Sequence, residues 1–88
     1  MHQNLVKSKI AKNRRASWTI VRYSLSYEVW EWFDPQDGAE QKELIMEFPH
    51  DGTIPDRRAA LHMAVGCLNS CKEMFDRDGE SIYDLLEA

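Results

Sequence analysis

Few residues in this chain are of types that carry chemistry, and their spacing decides most cases. His50, His62, Cys67 and Cys71 are the candidate metal ligands and nucleophiles. On a helix spanning about 55–77, Cys67 and Cys71 lie about 40° apart, whereas His62 lies roughly 140° from the first and roughly 180° from the second. Ligands so spread do not converge on one ion, and a zinc site would need His50 and a further group from elsewhere. No metal and no other cofactor is expected. Catalysis by either thiol would need a base beside it and a positive local field. The two cysteines read instead as reduced, buried thiols, spaced where a disulfide would be badly placed. Glu28, Glu31, Glu43 and Glu47 could supply a carboxylate pair, but acids on a strand are more often its charged surface. Aligning Asp78-Gly79 with the central turn of a calcium loop puts Met74 and Leu85 where carboxylates are required. No nucleophile, base and orienting group come together, so no enzyme activity is expected.

What the chain does have is ring surface. Tyr27 to Phe33 reads YEVWEWF, four aromatic residues in seven, two of them tryptophans one position apart. Tryptophan is enriched at the energetic centres of protein interfaces. Trp18, Trp30 and Trp32, with Glu28 and Glu31 beside them, are therefore the candidate partner-binding residues. The competing reading is a second small core, with a terminal helix folded over the rings.

The elements that would position these residues follow from periodicity. Trp18 to Phe33 alternates as a strand, with Thr19, Val21, Tyr23, Leu25, Tyr27 and Val29 on one face and Trp18, Ile20, Glu28, Trp30 and Trp32 on the other. DPQDGAE carries turn residues and reverses the chain, and QKELIMEF at 41–48 returns as a second strand. That strand pairs with only about eight residues, roughly 26–33, and leaves Trp18 to Tyr23 without a partner. Either the chain kinks at Ser24-Leu25-Ser26 into a three-strand meander, or a long strand presents an open edge. The absence of Gly and Asn there speaks against a tight primed turn. An open edge at Trp18 to Tyr23 would admit a homodimer with a continuous sheet.

Thr53 with Asp56 resembles a capping box, Pro55 suits a first turn, and Gly79 is a stop signal, which predicts a helix at about 55–77. Its apolar face carries Ala60, Leu61, Ala64, Leu68, Cys71 and Phe75, with Val65 and Cys67 at the margins. Ser81 with Asp84 repeats the capping pattern and predicts a short helix over 82–87. The expected fold class is α+β: a small antiparallel sheet of two or three strands packed by one long helix, with a short C-terminal helix.

Charge divides the chain further. Residues 1–16 hold Lys7, Lys9, Lys12, Arg14 and Arg15 and no acid, while residues 17–88 hold the other six basic residues against fifteen acidic ones, a net −9. The first segment reads as a basic, flexible arm, the second as a single acidic domain. The five cations are candidate nucleic-acid contacts, although the arm has no aromatic residue to stack on bases. No apolar run approaches the roughly 20 residues needed to cross a bilayer, and the first residues lack the apolar centre of a secretion signal. A cytoplasmic protein without a membrane partner is expected.

From Glu43 to Tyr83 the order is a strand ending in Phe48-Pro49, a turn, a helix opening at Arg58-Ala59-Ala60, and an acidic turn at Asp78-Gly79-Glu80-Ser81-Ile82. This half of the chain resembles the N-terminal module of HicB-type antitoxins. It departs from that pattern at His50-Asp51-Gly52, where the family has a glycine-rich segment, and has neither a closing strand after Ile82 nor a DNA-binding domain beyond it. The resemblance implies a ββ(β)α fold that covers a partner protein rather than catalysing a reaction. The leading expectation is a non-catalytic protein-binding module, a stoichiometric inhibitor or adaptor. Such a protein could be antitoxin-like or a phage-encoded inhibitor of a host defence nuclease, its acidic surface occupying a nucleic-acid groove. The alternatives are a nucleic-acid-binding accessory protein using the basic arm, and a homodimeric scaffold.

Overall fold

The structure, a computed structural model, describes residues 4–33 and 41–79. Four strands, β1 (Leu5–Ile10), β2 (Ala16–Tyr23), β3 (Ser26–Phe33) and β4 (Gln41–Pro49), form an antiparallel meander in the order β1-β2-β3-β4. A single 25-residue helix, α1 (Ile54–Asp78), follows and lies across one face. The class is α+β as expected, but the sheet has four strands where two or three were predicted. The helix predicted over 82–87 and the turn at 34–39 lie outside the described residues.

The extra strand comes from the basic segment. Leu5–Ile10 pairs with β2, with a bulge between Leu5 and Lys7, so a sheet edge stands where an arm was expected. Its LVKSKI sequence has the apolar and β-branched content of a strand, and its lysines occupy alternate positions. Arg14 closes the β1–β2 connection in the left-handed region at φ 61°, within a turn held by Arg14 N–H to Ala11 O and Ala11 N–H to Ala16 O.

The alternation from Trp18 to Phe33 is two strands rather than one. Tyr23 pairs with Ser26, leaving Ser24 and Leu25 as a two-residue turn. Neither residue takes a positive φ, so the primed geometry whose absence argued against a turn is not used. Tertiary contacts fix it instead: the His50 N–H donates to Leu25 O at 3.0 Å, and the Leu25 side chain abuts Gly52. β2 is therefore an interior strand with a neighbour on each side, and a dimer joined at a Trp18–Tyr23 edge is ruled out.

The turn also changes which residues share a face. Trp18 lies opposite Glu31, Ile20 opposite Val29 and Arg22 opposite Tyr27. Even positions of β2 and odd positions of β3 thus point the same way. Ala16, Trp18, Ile20, Tyr27, Val29 and Glu31 are buried beneath α1, so the expected grouping of Trp18 and Ile20 with Trp30 and Trp32 is corrected. Their partners on the helix are Ala60, Ala64, Leu68, Cys71 and Phe75, the predicted stripe. Trp18 meets Phe75 edge-on at 5.6 Å between centroids. A bulge in β4 opposite Val29 and Trp30 puts Ile45 against this core and leaves Met46 exposed.

Among the described residues the core contains one fully buried carboxylate, Glu31 at 0% exposure, and Trp18 Nε1–H donates to its Oε1 at 2.9 Å. A buried carboxylate without donors would cost several kcal/mol, which makes this bond a condition of the packing.

The helix ends follow the sequence signals. Thr53 caps the N-terminus by accepting from Asp56 N–H, and Gly79 takes a left-handed conformation at φ 71° as it donates to Phe75 O. The Asp56 carboxylate reaches the Asp51 N–H instead of the cap's own, which Asp51 satisfies. Asp56 in the first turn and Arg77 in the last both complement the macrodipole.

Two predictions arise from this packing. Trp18→Phe removes the indole donor from Glu31 and leaves a void, and should destabilise the protein by at least about 2 kcal/mol, read from the urea midpoint at unchanged slope. Secondly, the hydrogen bonds from Thr53 hold the Asp51 carboxyl below its usual range. Lys72 followed by the Lys12 N–H does the same for Asp76, and Arg77 for Asp78. Depressed folded-state values give stability that is complete above the ordinary carboxylate range near pH 4 and lost as the pH drops through the folded values. Urea midpoints should hold from about pH 6 to about pH 4 and fall below it; a flat profile down to about pH 2 would contradict the assignment.

Candidate functional site

With α1 on one face of the sheet, the other face of the described structure is uncovered. Along β3 it carries Glu28, Trp30 and Trp32, along β2 Ser17, Thr19, Val21 and Tyr23, along β4 Lys42 and Leu44, and along β1 Leu5, Ser8 and Ile10. Leu5, Ile10, Tyr23 and Leu44 are exposed, Ile10 at 59%. Trp30 and Trp32 are half-buried.

The two indoles are held in place by polar contacts across the pleat. Trp30 Nε1–H donates to Glu28 Oε1 at 2.9 Å, and Trp32 Nε1–H donates to Thr19 Oγ1 at 2.9 Å. The Lys42 ammonium lies 5.2 Å from the Trp30 ring centroid and 5.3 Å from that of Trp32. Such cation–π contacts contribute about 0.5–1 kcal/mol each at exposed sites and fix where the charge sits. The result is a pinned aromatic platform, its ring faces oriented before any partner arrives. Pre-ordered aromatic surface loses little conformational entropy on binding.

Of the five predicted partner contacts, Glu28, Trp30 and Trp32 meet on this face. Trp18 and Glu31 do not: both are buried under α1 and bonded to each other, so they serve the core. The face also recruits Lys42, Leu44, Thr19 and Ile10, which sequence reasoning did not select. A partial signal existed in β1, where Lys7 and Lys9 alternate with Ser8 and Ile10.

The predicted nucleic-acid contacts lie at the β1 edge. Lys7 and Lys9 occupy the positions of β1 paired with Ile20 and Trp18, on the helix side, while Lys12, Arg14 and Arg15 stand in the β1–β2 turn. Lys9 and Lys12 line an open groove with Asn69, Lys72, Glu73, Asp76 and Arg77 of α1. Lys72 pairs with Asp76, which also accepts the Lys12 N–H at 2.8 Å.

Among the described residues, neither His50 nor His62 joins Cys67 and Cys71 in a cluster. Cys71 is buried and Cys67 half-buried, both free. Their mutual hydrogen bond, then burial, pushes the Cys71 thiol far up. His62 lies with Arg58, Leu61 and Val65 along another side of the helix. His50 precedes the helix, about 20 Å of helix rise from Cys67. Its Nδ1 accepts from Gly52 N–H at 3.0 Å, its ring tilts against Tyr27, and its Nε2 is buried with no hydrogen-bond partner among the described residues. Among those residues no group of three or more His, Cys, Asp or Glu side chains is placed to hold a metal ion, and no helix is long and apolar enough to cross a membrane.

Comparison of the chain with protein-family models, with curated proteins and with solved structures gives no match.

Proposed function

We propose that this chain is a non-catalytic protein-binding module, acting as a stoichiometric inhibitor or adaptor through the uncovered face of its sheet. The observation that carries the reading is the Trp30–Trp32 platform with Lys42 across it, on a face that no described element covers. Exposed apolar and aromatic side chains gathered on one face and flanked by charge mark a recognition surface. The antitoxin-like and nuclease-inhibitor forms of the reading differ in the partner, and the same face would serve either.

The paired substitution Trp30→Ala with Trp32→Ala tests it. Affinity capture from the native host with the wild-type chain identifies the partner. The variant should keep its far-UV circular dichroism and bind that partner at least about 2 kcal/mol more weakly, a factor of about 30. Unchanged affinity in a folded variant would remove the face from the function.

A second reading is favoured by the basic groove between β1 and α1. A nucleic-acid strand following Lys9, Lys12 and Arg77 would bind through its phosphates, with affinity falling steeply as salt rises. Deleting residues 1–16 does not test this cleanly, because the cut removes a strand of the sheet. Lys7→Gln, Lys9→Gln and Lys12→Gln together should abolish binding of a labelled single-stranded oligonucleotide while leaving the fold intact. No measurable binding by the wild-type chain at low salt would exclude this reading.

A further inference from the structure

The uncovered face has a pattern that a protein-binding reading alone does not explain: its two ends are complementary to each other. Across the strands at one end run Ile10, Ser17, Trp32 and Lys42, in register from β1 to β4. Toward the other end run Leu5, Val21, Glu28 and Glu47, with the row Tyr23, Ser26 and Pro49 beyond them and outside the pattern. Between them lies the row Ser8, Thr19, Trp30 and Leu44. On the β3–β4 side one end is cationic and the other doubly anionic. On the β1–β2 side both ends carry an aliphatic residue.

A two-fold axis lying in the face, perpendicular to the strands and through the middle row, exchanges the two ends. It would place Lys42 over the partner's Glu47 and beside the partner's Glu28, Ile10 over the partner's Leu5, and the Trp30–Leu44 row on itself. An isologous contact requires this kind of self-complementary patch. Opposed sheets stack about 10 Å apart with their strands nearly aligned, a spacing that side chains of this size fill. A two-fold axis parallel to the strands would instead leave Lys42 opposite the partner's Ile10.

We infer that a second copy of this chain occupies the uncovered face, the two sheets stacking about this axis. The inference rests on the reading of that face as a protein-binding surface and adds its regulation. Self-pairing and capture of another protein draw on the same residues, so the monomer is the form that binds. Four strands about 4.8 Å apart give a footprint near the lower end of stable interfaces, so the dimer should form in the micromolar range.

Sedimentation of the full chain across about 1–500 μM, with two charge reversals, tests the inference. The wild type should be dimeric at the upper concentrations. Lys42→Glu and Glu47→Lys, each confirmed folded by circular dichroism, should each weaken the dimer at least about tenfold, because each sets like charges opposite one another. Mixed one to one they should re-form a dimer much closer to the wild type than either variant alone, since positions 42 and 47 again oppose one another with unlike charge. If Lys42→Glu does not fold, Glu47→Lys at its exposed position decides alone. A wild type that stays monomeric throughout, or a dimer indifferent to Glu47→Lys, overturns the inference. Either result leaves the protein-binding reading to its own test, loss of the captured partner from the tryptophan variant.

Discussion

A β-strand offers alternate residues to opposite faces, and this chain has, among its described elements, one helix with which to cover them. Everything else in the structure depends on which alternate set that helix takes. It covers Ala16, Trp18 and Ile20 of β2 and Tyr27, Val29 and Glu31 of β3, and so leaves Trp30, Trp32, Val21 and Tyr23 on the far side. The three tryptophans of one apparent strand thereby acquire unrelated tasks. Trp18 fills the core, while Trp30 and Trp32 form a surface. The division follows from a two-residue turn: had β2 and β3 been continuous, Trp18 would have lain with Trp30 and Trp32.

The covered side carries a polar feature that most cores of this size avoid. Glu31 is fully buried next to the helix, and its bond from the Trp18 indole connects two adjacent strands below Phe75. Indole donors recur on the uncovered side, where Glu28 and Thr19 receive the other two. Each tryptophan N–H of the chain is thus matched by a side-chain oxygen on its own face. This pairing restrains the orientation of all three rings, in the core for packing and on the surface for recognition. Restraint of that kind favours one β2–β3 register over a slipped one, because a slip by one residue would separate Trp18 from Glu31 and Trp32 from Thr19, the two bonds that cross between these strands.

Charge is distributed by the same topology. The basic segment, being the edge strand, brings Lys9 and Lys12 to the last turns of α1, where Lys72, Asp76 and Arg77 complete a mixed but predominantly basic groove. The uncovered face, by contrast, holds its cation and its acids at separate ends. The chain therefore presents two chemically distinct surfaces from one small sheet, one polar and along an edge, one aromatic and across a face. Among the described residues, Cys67 and Cys71 are free thiols hydrogen-bonded to each other, and His50 and His62 lie elsewhere on the molecule.

Features that act over a few residues are legible along the chain. The Thr53 cap, the Gly79 stop and the stripe from Ala60 to Phe75 are read from spacing, because a cap or a helical face involves neighbours along the chain. The pairing of 26–33 with a strand at 41–48 was also legible, since antiparallel neighbours close in sequence pair nearly residue for residue; the bulge opposite Val29 and Trp30 was not. For the candidate site this gave Glu28, Trp30 and Trp32, but it also admitted Trp18 and Glu31. Only the tertiary structure decided that Ser24 and Leu25 turn without a positive φ, because the bond from His50 and the contact at Gly52 come from residues over twenty positions away. It likewise decided that the basic segment is a strand, as an edge strand depends on the neighbour it pairs with. Period-two alternation is blind to a two-residue reversal: it names two faces on each strand and leaves their assignment to whatever packs against them.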